Sequence, residues 1–339
     1  MRNLTVDNGR LSTVSAEIAA STGADAAYPS LGFRETSLRA DELVGKSRAA
    51  NTIRAYRADW IDFEAWCRAR GYPFLPADPA AVSLYVASLS DSRTVSTIQR
   101  RLVSISRTHK AAGLVSPTVC SKVREVLKGL VREKGSAQRQ KCALATAELK
   151  AILASCGTNL PDARDRALLL LGFSSAMRRS ERVALRFEDI SFVAGHGLRL
   201  VIRKSKTDQD GWGREVGIPF GRDSATCAVL ALRSWLHAAR IIEGPIFRKI
   251  DRYGTVAGRA LNGAAVAMIL KKRAHATGLD EKRFAGHSLR AGFCTAAAAS
   301  GATERSIMAQ TGHRSERMLR RYIRTGSLFR DNAAATVDL

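Results

Sequence analysis

Apolar residues recur through residues 52–70 at close to the helical period. Ile53, Tyr56, Trp60, Phe63, Ala65, Trp66 and Cys67 fall on or near one face, with Arg54, Arg57, Arg68 and Arg70 mostly off it. Gly71, Tyr72 and Pro73 end the pattern. Residues 80–89 predict a second helix, 94–112 a third with Ile98, Leu102, Val103 and Ile105 inward, and 120–133 a fourth, together a small helical bundle. Residues 134–141 are polar and basic with no apolar period, which reads as a linker. Beyond it Thr146 opens a helix, and 161–173 is apolar enough for a core helix. Residues 197–203 alternate, Asp210 and Gly211 signal a turn, and 214–219 form a second strand, which predicts a β-hairpin. Near the end Ser288 is expected to cap a helix over 289–300 that stops at Gly301. Thr303 and Ser315 are expected to cap two more, the last carrying Tyr322 on a face shared with Met318, Leu319 and Ile323. Residues 328–337, with Leu328, Phe329, Ala333 and Ala334 apolar, predict a final helix too short to be stable alone.

The expected fold class is mainly α (α+β). A mobile arm, 1–47, rich in Ala, Ser, Thr and Gly, precedes a helical bundle, 48–133. A basic linker, 134–145, then leads to a mainly helical domain with a small antiparallel sheet, 146–339. A chain of 339 residues with 45% hydrophobic content can form two such cores.

Charge narrows the partners. Lys and Arg number 54 against 31 Asp and Glu, a net +23. Residues 1–47 carry 5 basic and 6 acidic groups, 48–145 carry 17 and 7, and 146–339 carry 32 and 18. Both folded regions are therefore basic, and nucleic acid is the natural polyanion for them. No apolar run approaches the roughly 18 residues that span a bilayer, and the N-terminus lacks a signal-peptide layout, so a cytoplasmic protein acting on DNA is expected. The cysteines, Cys67, Cys120, Cys142, Cys156, Cys227 and Cys294, are scattered without metal-ligand spacing.

His287 and Arg290 sit at the positive end of a predicted helix, where an anion is favoured. Singly, such residues are ordinary: a His before a helix is usually a cap, Arg290 a surface ion-pair partner, Tyr322 a half-buried core tyrosine. Jointly, His287 and Arg290 three apart, Gly312 and His313 followed by Ser315, and Tyr322 form a long ordered string. This string resembles the second catalytic box of the tyrosine recombinases, the phage integrase family that cuts and rejoins DNA through a phosphotyrosine. The first box is similar too, with an arginine, Glu181 three residues on, and Leu185 leading to Asp189 and Ile190. Glu spacing selects Arg178 over Arg179. The family often has Gly-Leu-Arg where this chain has Ala176, Met177 and Arg178, which leaves the tight turn in question.

The resemblance implies roles. Arg178, Arg290 and His313 would hold the charge that builds on the phosphate, and Tyr322 would attack it. A phenol titrates at about 10, so it needs a base, and His287 is the candidate acceptor. Glu181 would orient Arg178. A lysine on the hairpin would protonate the leaving 5′ oxygen, and Lys206, followed by Thr207, matches better than Lys204. A 3′-phosphotyrosyl link needs no metal or ATP, and the sequence has no P-loop and no carboxylate cluster spaced for magnesium.

Residues 60–67, 95–102 and 109–114 resemble the family's core-binding domain. The likeness implies helices across the major groove, with Gln99, Arg100 and Ser104 as candidates for base edges, Arg101 beside them, and Arg54, Arg57 and Lys110 for phosphates. Phe247, Arg248 and Lys249, and Lys271 to Arg273, are expected on a DNA-facing surface, while Trp235 and Leu236 read as core. The whole would be a C-shaped clamp acting as a homotetramer on double-stranded DNA with inverted-repeat sites, tied by exchange of the C-terminal helix between protomers. Two other classes compete, a type IB-like topoisomerase and a DNA-binding regulator without a nucleophile.

Overall fold

Two helix starts in the first part of the chain are set by short polar side chains. The Asp78 carboxylate accepts the Ala80 N–H at 2.7 Å with Pro79 in the first turn, and the Thr94 hydroxyl accepts the Thr97 N–H at 3.4 Å. The computed structural model describes residues 39, 43, 49–135, 141–205, 208, 211–316, 319, 320 and 322. The chain divides into two compact units, Met1–Arg139 and Gln140–Leu339. The division falls inside the segment 134–145, of which 136–140 lie outside the described residues; so does the expected arm, apart from Arg39 and Leu43. No helix among the described residues is long and apolar enough to cross a membrane.

In the first unit four helices, α1 (Ala50–Arg68), α2 (Pro79–Ser88), α3 (Val95–Ala111) and α4 (Ser121–Lys134), enclose one core. Phe63 and Cys67 of α1 meet Val82, Tyr85 and Val86 of α2, Ile98, Leu102 and Ile105 of α3, and Val123 and Leu130 of α4. Buried side chains of this size are worth about 1.5–3 kcal/mol each, enough to hold helices that are short on their own. His109 is a satisfied core histidine. Its Nδ1 lies 2.8 Å from Ile105 O, and its Nε2 accepts the Ala77 N–H at 2.9 Å.

Several expectations are corrected here. Val103 and Ile53 are exposed: Ile98, Leu102, Ile105 and His109 form the inward seam of α3, and Val103 is rotated about 100° from Leu102. Arg101 is only 7% exposed, with Nη1 hydrogen-bonded to Asp62 and, at 2.6 Å, to the Tyr85 hydroxyl. Ser104 is 2% exposed and donates to Tyr56 O at 2.7 Å. Buried in this way, these two support the fold and do not line its surface.

The second unit is built on α6 (Leu160–Ser174), whose apolar run lies buried between α8 (Ala228–Ala238) and α10 (Ser288–Ala299), with α5 (Thr146–Ala154), α7 (Arg179–Ala184), α9 (Gly263–Ala276) and α11 (Glu304–Thr311) around it. Trp235 and Leu236 are core, and the Trp235 indole donates to Ile246 O at 2.7 Å. The hairpin is present as β2 (Gly197–Ile202) and β3 (Arg214–Pro219), paired Gly197 to Pro219 through Ile202 to Arg214, and it gains an edge strand, β1 (Ile190–Val193). Leu198, Leu200 and Ile202 bury one face of it together with Val216 and Ile218.

A second hairpin, β4 (Arg248–Ile250) with β5 (Val256–Ala260), occupies the expected basic surface. Phe247 is fully buried, and Arg248 turns back to donate to Pro245 O at 2.7 Å, while Lys249 is exposed. Arg273 is buried as well, donating through Nε to Asp165 at 2.9 Å and pairing with Asp162. Ser288 does not cap α10. It is the first helical residue, its hydroxyl accepts the Ala285 N–H at 3.0 Å, and His287 takes the cap position.

Candidate active site

Three local devices bring distant residues together. At the end of α6 the chain turns through Ala176, whose φ of 49° is in the left-handed region, and this delivers Arg178 to the start of α7. Glu181 then holds it twice: the Arg178 N–H donates to Oε2 at 3.0 Å, and Nη1 donates to Oε1 at 2.8 Å. At the start of α10 Arg290 is 1% exposed, and its Nη1 donates to Ala176 O at 2.7 Å and to Thr311 O at 2.6 Å. Its Nε and Nη2 have no hydrogen-bond partner among the described residues, an unusual state for a buried guanidinium.

The third device carries His313. Thr303 starts α11 by accepting the Ser306 N–H at 3.2 Å, and Gly312 ends it at φ 66°. His313 follows, its Nδ1 2.8 Å from Thr311 Oγ1. Residues 316, 319, 320 and 322 are helical, and Leu319 is buried among Cys294, Ala298 and Ile307, which anchors the turn bearing Tyr322 against α10. There the Tyr322 hydroxyl lies 2.7 Å from His287 Nε2, and its ring stacks on His313 with centroids 6.2 Å apart.

Positive charge dominates. Burial, then Arg290 and Arg178, push His313 down to about 3, so its imidazole is neutral near pH 7. His287 keeps an edge open to solvent, yet it too is lowered, first by the protein packed around it and then by Arg290, Arg178 and Arg182. Arg290 itself falls to about 10, chiefly through burial and then repulsion from Arg178.

Of the residues expected at the site, Arg178, Glu181, Arg290, His287, His313 and Tyr322 form this cluster. Lys206 lies outside the described residues, as do Met318, Ile323 and the tail; Lys204 is exposed at the end of β2. In the first unit Gln99, Arg100, Arg54, Arg57 and Lys110 are exposed, Arg100 paired with Asp59 at 3.0 Å. Two residues at the cluster were not anticipated. Arg182 is fully buried beside Glu181, donates to Met177 O at 3.2 Å, and occupies space left by the missing side chain of Gly172. Arg214, the first residue of β3, faces Glu181 Oε2 at 3.6 Å.

Residues 143–327 match the model of the phage integrase family. An integrase/recombinase xerD homolog from Selenomonas ruminantium is 42% identical over 302 residues, 88% of each chain. Recombinase cre of Escherichia phage P1 is 24% identical over 291 residues, 78% of this chain and 83% of its own. Among solved structures, XerH site-specific recombinase bound to palindromic difH substrate aligns with a TM-score of 0.57 at 17% identity, over 76% of this chain and 72% of that one. A lambda integrase dimer bound to a COC′ core site aligns with a TM-score of 0.57 at 16% identity, over 86% and 94%. At these identities the structures share the fold.

Proposed function

Because the chain belongs to the phage integrase family and is a tyrosine recombinase, an enzyme of DNA strand cleavage and rejoining in site-specific recombination, we propose that Tyr322 is its nucleophile and His287 the base. The observation that carries this reading is the 2.7 Å contact between the phenol and a neutral imidazole, beside Arg178 held by the Glu181 carboxylate and Arg290 held by backbone carbonyls. As Tyr322 attacks the scissile phosphorus, its proton passes to His287 Nε2 and the P–O5′ bond breaks. Lys206 gives the 5′ oxygen its proton. The product is a 3′-phosphotyrosyl ester and a free 5′ hydroxyl, and attack by a 5′ hydroxyl reverses the step.

Arg178 and Arg290 hold the nonbridging oxygens, with Nε and Nη2 of Arg290 as buried donors that a phosphate would satisfy. Glu181 fixes Arg178, and His313 adds a donor. Four protomers on two inverted-repeat sites exchange strands through a Holliday junction, tied by the segment 326–339, and the domains divide as 48–133 and 146–339 around a basic linker. The relatives support this reading: one is an integrase/recombinase homolog, and XerH is solved in a post-cleavage complex with a palindromic substrate.

The test uses a duplex carrying the inverted repeat that the protein itself selects from randomised DNA, nicked in the spacer to trap the intermediate. Wild type is expected to give a covalent protein–DNA band after denaturation without added metal or ATP, and Tyr322→Phe none. A band that persists in the variant would reject Tyr322.

A further inference from the structure

Arg214 has no part in the scheme above, yet it touches three of the segments that make the site. Its Nη2 lies 3.6 Å from Glu181 Oε2, the oxygen that also accepts the Arg178 N–H. Its Nη1 donates to Gln310 O at 2.9 Å, at the end of α11. Its Nε lies against the next turn, where a Cβ on Gly312 would come within 2.7 Å of it, at a residue already held at φ 66°. His313 is the following residue. Gln310 is gripped from its other end as well: its side-chain amide donates to Ser174 O at 2.8 Å and to Gly217 O at 3.2 Å.

We infer that Arg214 is a positioning residue for the cleavage step, a strut that transmits the position of Glu181 to the turn carrying His313. Geometry favours a strut over a simple ion pair. Glu181 Oε1 is taken by Arg178, so Oε2 alone faces Arg214, at a distance longer than a hydrogen bond, while the shorter contact goes to the backbone ahead of His313. A guanidinium can reach a carboxylate and a carbonyl at once because its donors diverge in a plane; a lysine ammonium concentrates its donors at one point. Arg214→Lys therefore keeps the charge and loses the span.

The proposal rests on the Tyr322 reading, and a double-mutant cycle separates the two. On the nicked duplex described above, single-turnover cleavage is measured for wild type, Arg214→Gln, His313→Gln and the pair, with Arg214→Lys run in parallel and melting curves recorded for all. Arg214→Gln and Arg214→Lys should each slow cleavage about tenfold or more in the wild-type background, and by less than about twofold once His313 is Gln. An equal cost in both backgrounds would overturn the proposal, since a residue that holds the phosphate directly or only stabilises the fold still costs activity without His313. Wild-type rates in either Arg214 variant would overturn it too, as would loss of the folded state in both. Absence of a Tyr322-dependent band from wild type would instead reject the nucleophile reading before Arg214 enters.

Discussion

Two buried clusters of arginine and carboxylate lie in the second unit, and their charge balances differ. In one, Arg273 and Arg164 meet Asp162 and Asp165, two cations with two anions joined by short hydrogen bonds. Burial opposes the charge on Arg273, but the Asp165 and Asp162 bonds outweigh it and raise its pKa. In the other, Arg178, Arg182, Arg214 and Arg290 all feel one carboxylate, Glu181. Burial and mutual repulsion lower Arg290 to about 10, and burial lowers Arg182 to about 10. A cluster that closes its own charge is a fastening. One that leaves charge open calls for an anion from outside, and that surplus marks a site more reliably than burial does.

Breaking each cluster should expose the contrast. Arg273→Met strands the buried carboxylate of Asp162 and leaves Asp165 with Arg164 alone, which should cost about 3–5 kcal/mol in urea unfolding, with cleavage per folded molecule unchanged. Arg290→Met relieves repulsion while losing two bonds to carbonyls, so stability should move by less than about 2 kcal/mol while single-turnover cleavage falls on the order of 100–1000-fold. Equal losses of stability in the two variants would erase the distinction.

Acid sharpens the same comparison. His313 is lowered to about 3 in the folded protein against an ordinary value of about 6.5, so the unfolded chain binds more protons between these limits. Stability is full above about pH 6.5 and declines as pH falls toward 3. With screening at a half-exposed ring, the loss by pH 4 should be on the order of 1–2 kcal/mol. His313→Gln should abolish that share of the acid sensitivity, measured as melting temperature against pH.

Backbone strain also gathers at the open cluster. Ala176 holds a left-handed φ with its side chain buried. Ala176→Gly should raise stability by about 0.5–1 kcal/mol in the same unfolding assay, and a lower midpoint would show that the turn is not strained.

The candidate string was legible because its parts are local: His287 and Arg290 share one helix start, Arg178 and Glu181 another, and Tyr322 follows a Gly312 stop. Arg182, Arg214 and Arg273 were not, since an arginine's role depends on which carboxylate the fold carries to it. Arg100 and Arg101 make the same point. They are adjacent on α3, yet about 100° of rotation leaves one in solvent and seals the other against Asp62. The unforeseen strands β1, β4 and β5 are three to five residues long, too short for alternation to register.

Thr311 has a single hydroxyl hydrogen, and Ile307 O, 2.7 Å away, takes it. With that hydrogen on Ile307 O, the contact between Thr311 Oγ1 and His313 Nδ1 runs from the ring, and in that tautomer the neutral imidazole carries its proton on Nδ1 and leaves Nε2 bare. A bare nitrogen accepts but cannot donate. For His313 to grip a phosphate oxygen, the ring has to draw a proton from solvent, and the arginines that suppress this are the ones an arriving phosphate neutralises. On the proposed reading, engaging DNA would take up a proton, the substrate arming the group that serves it.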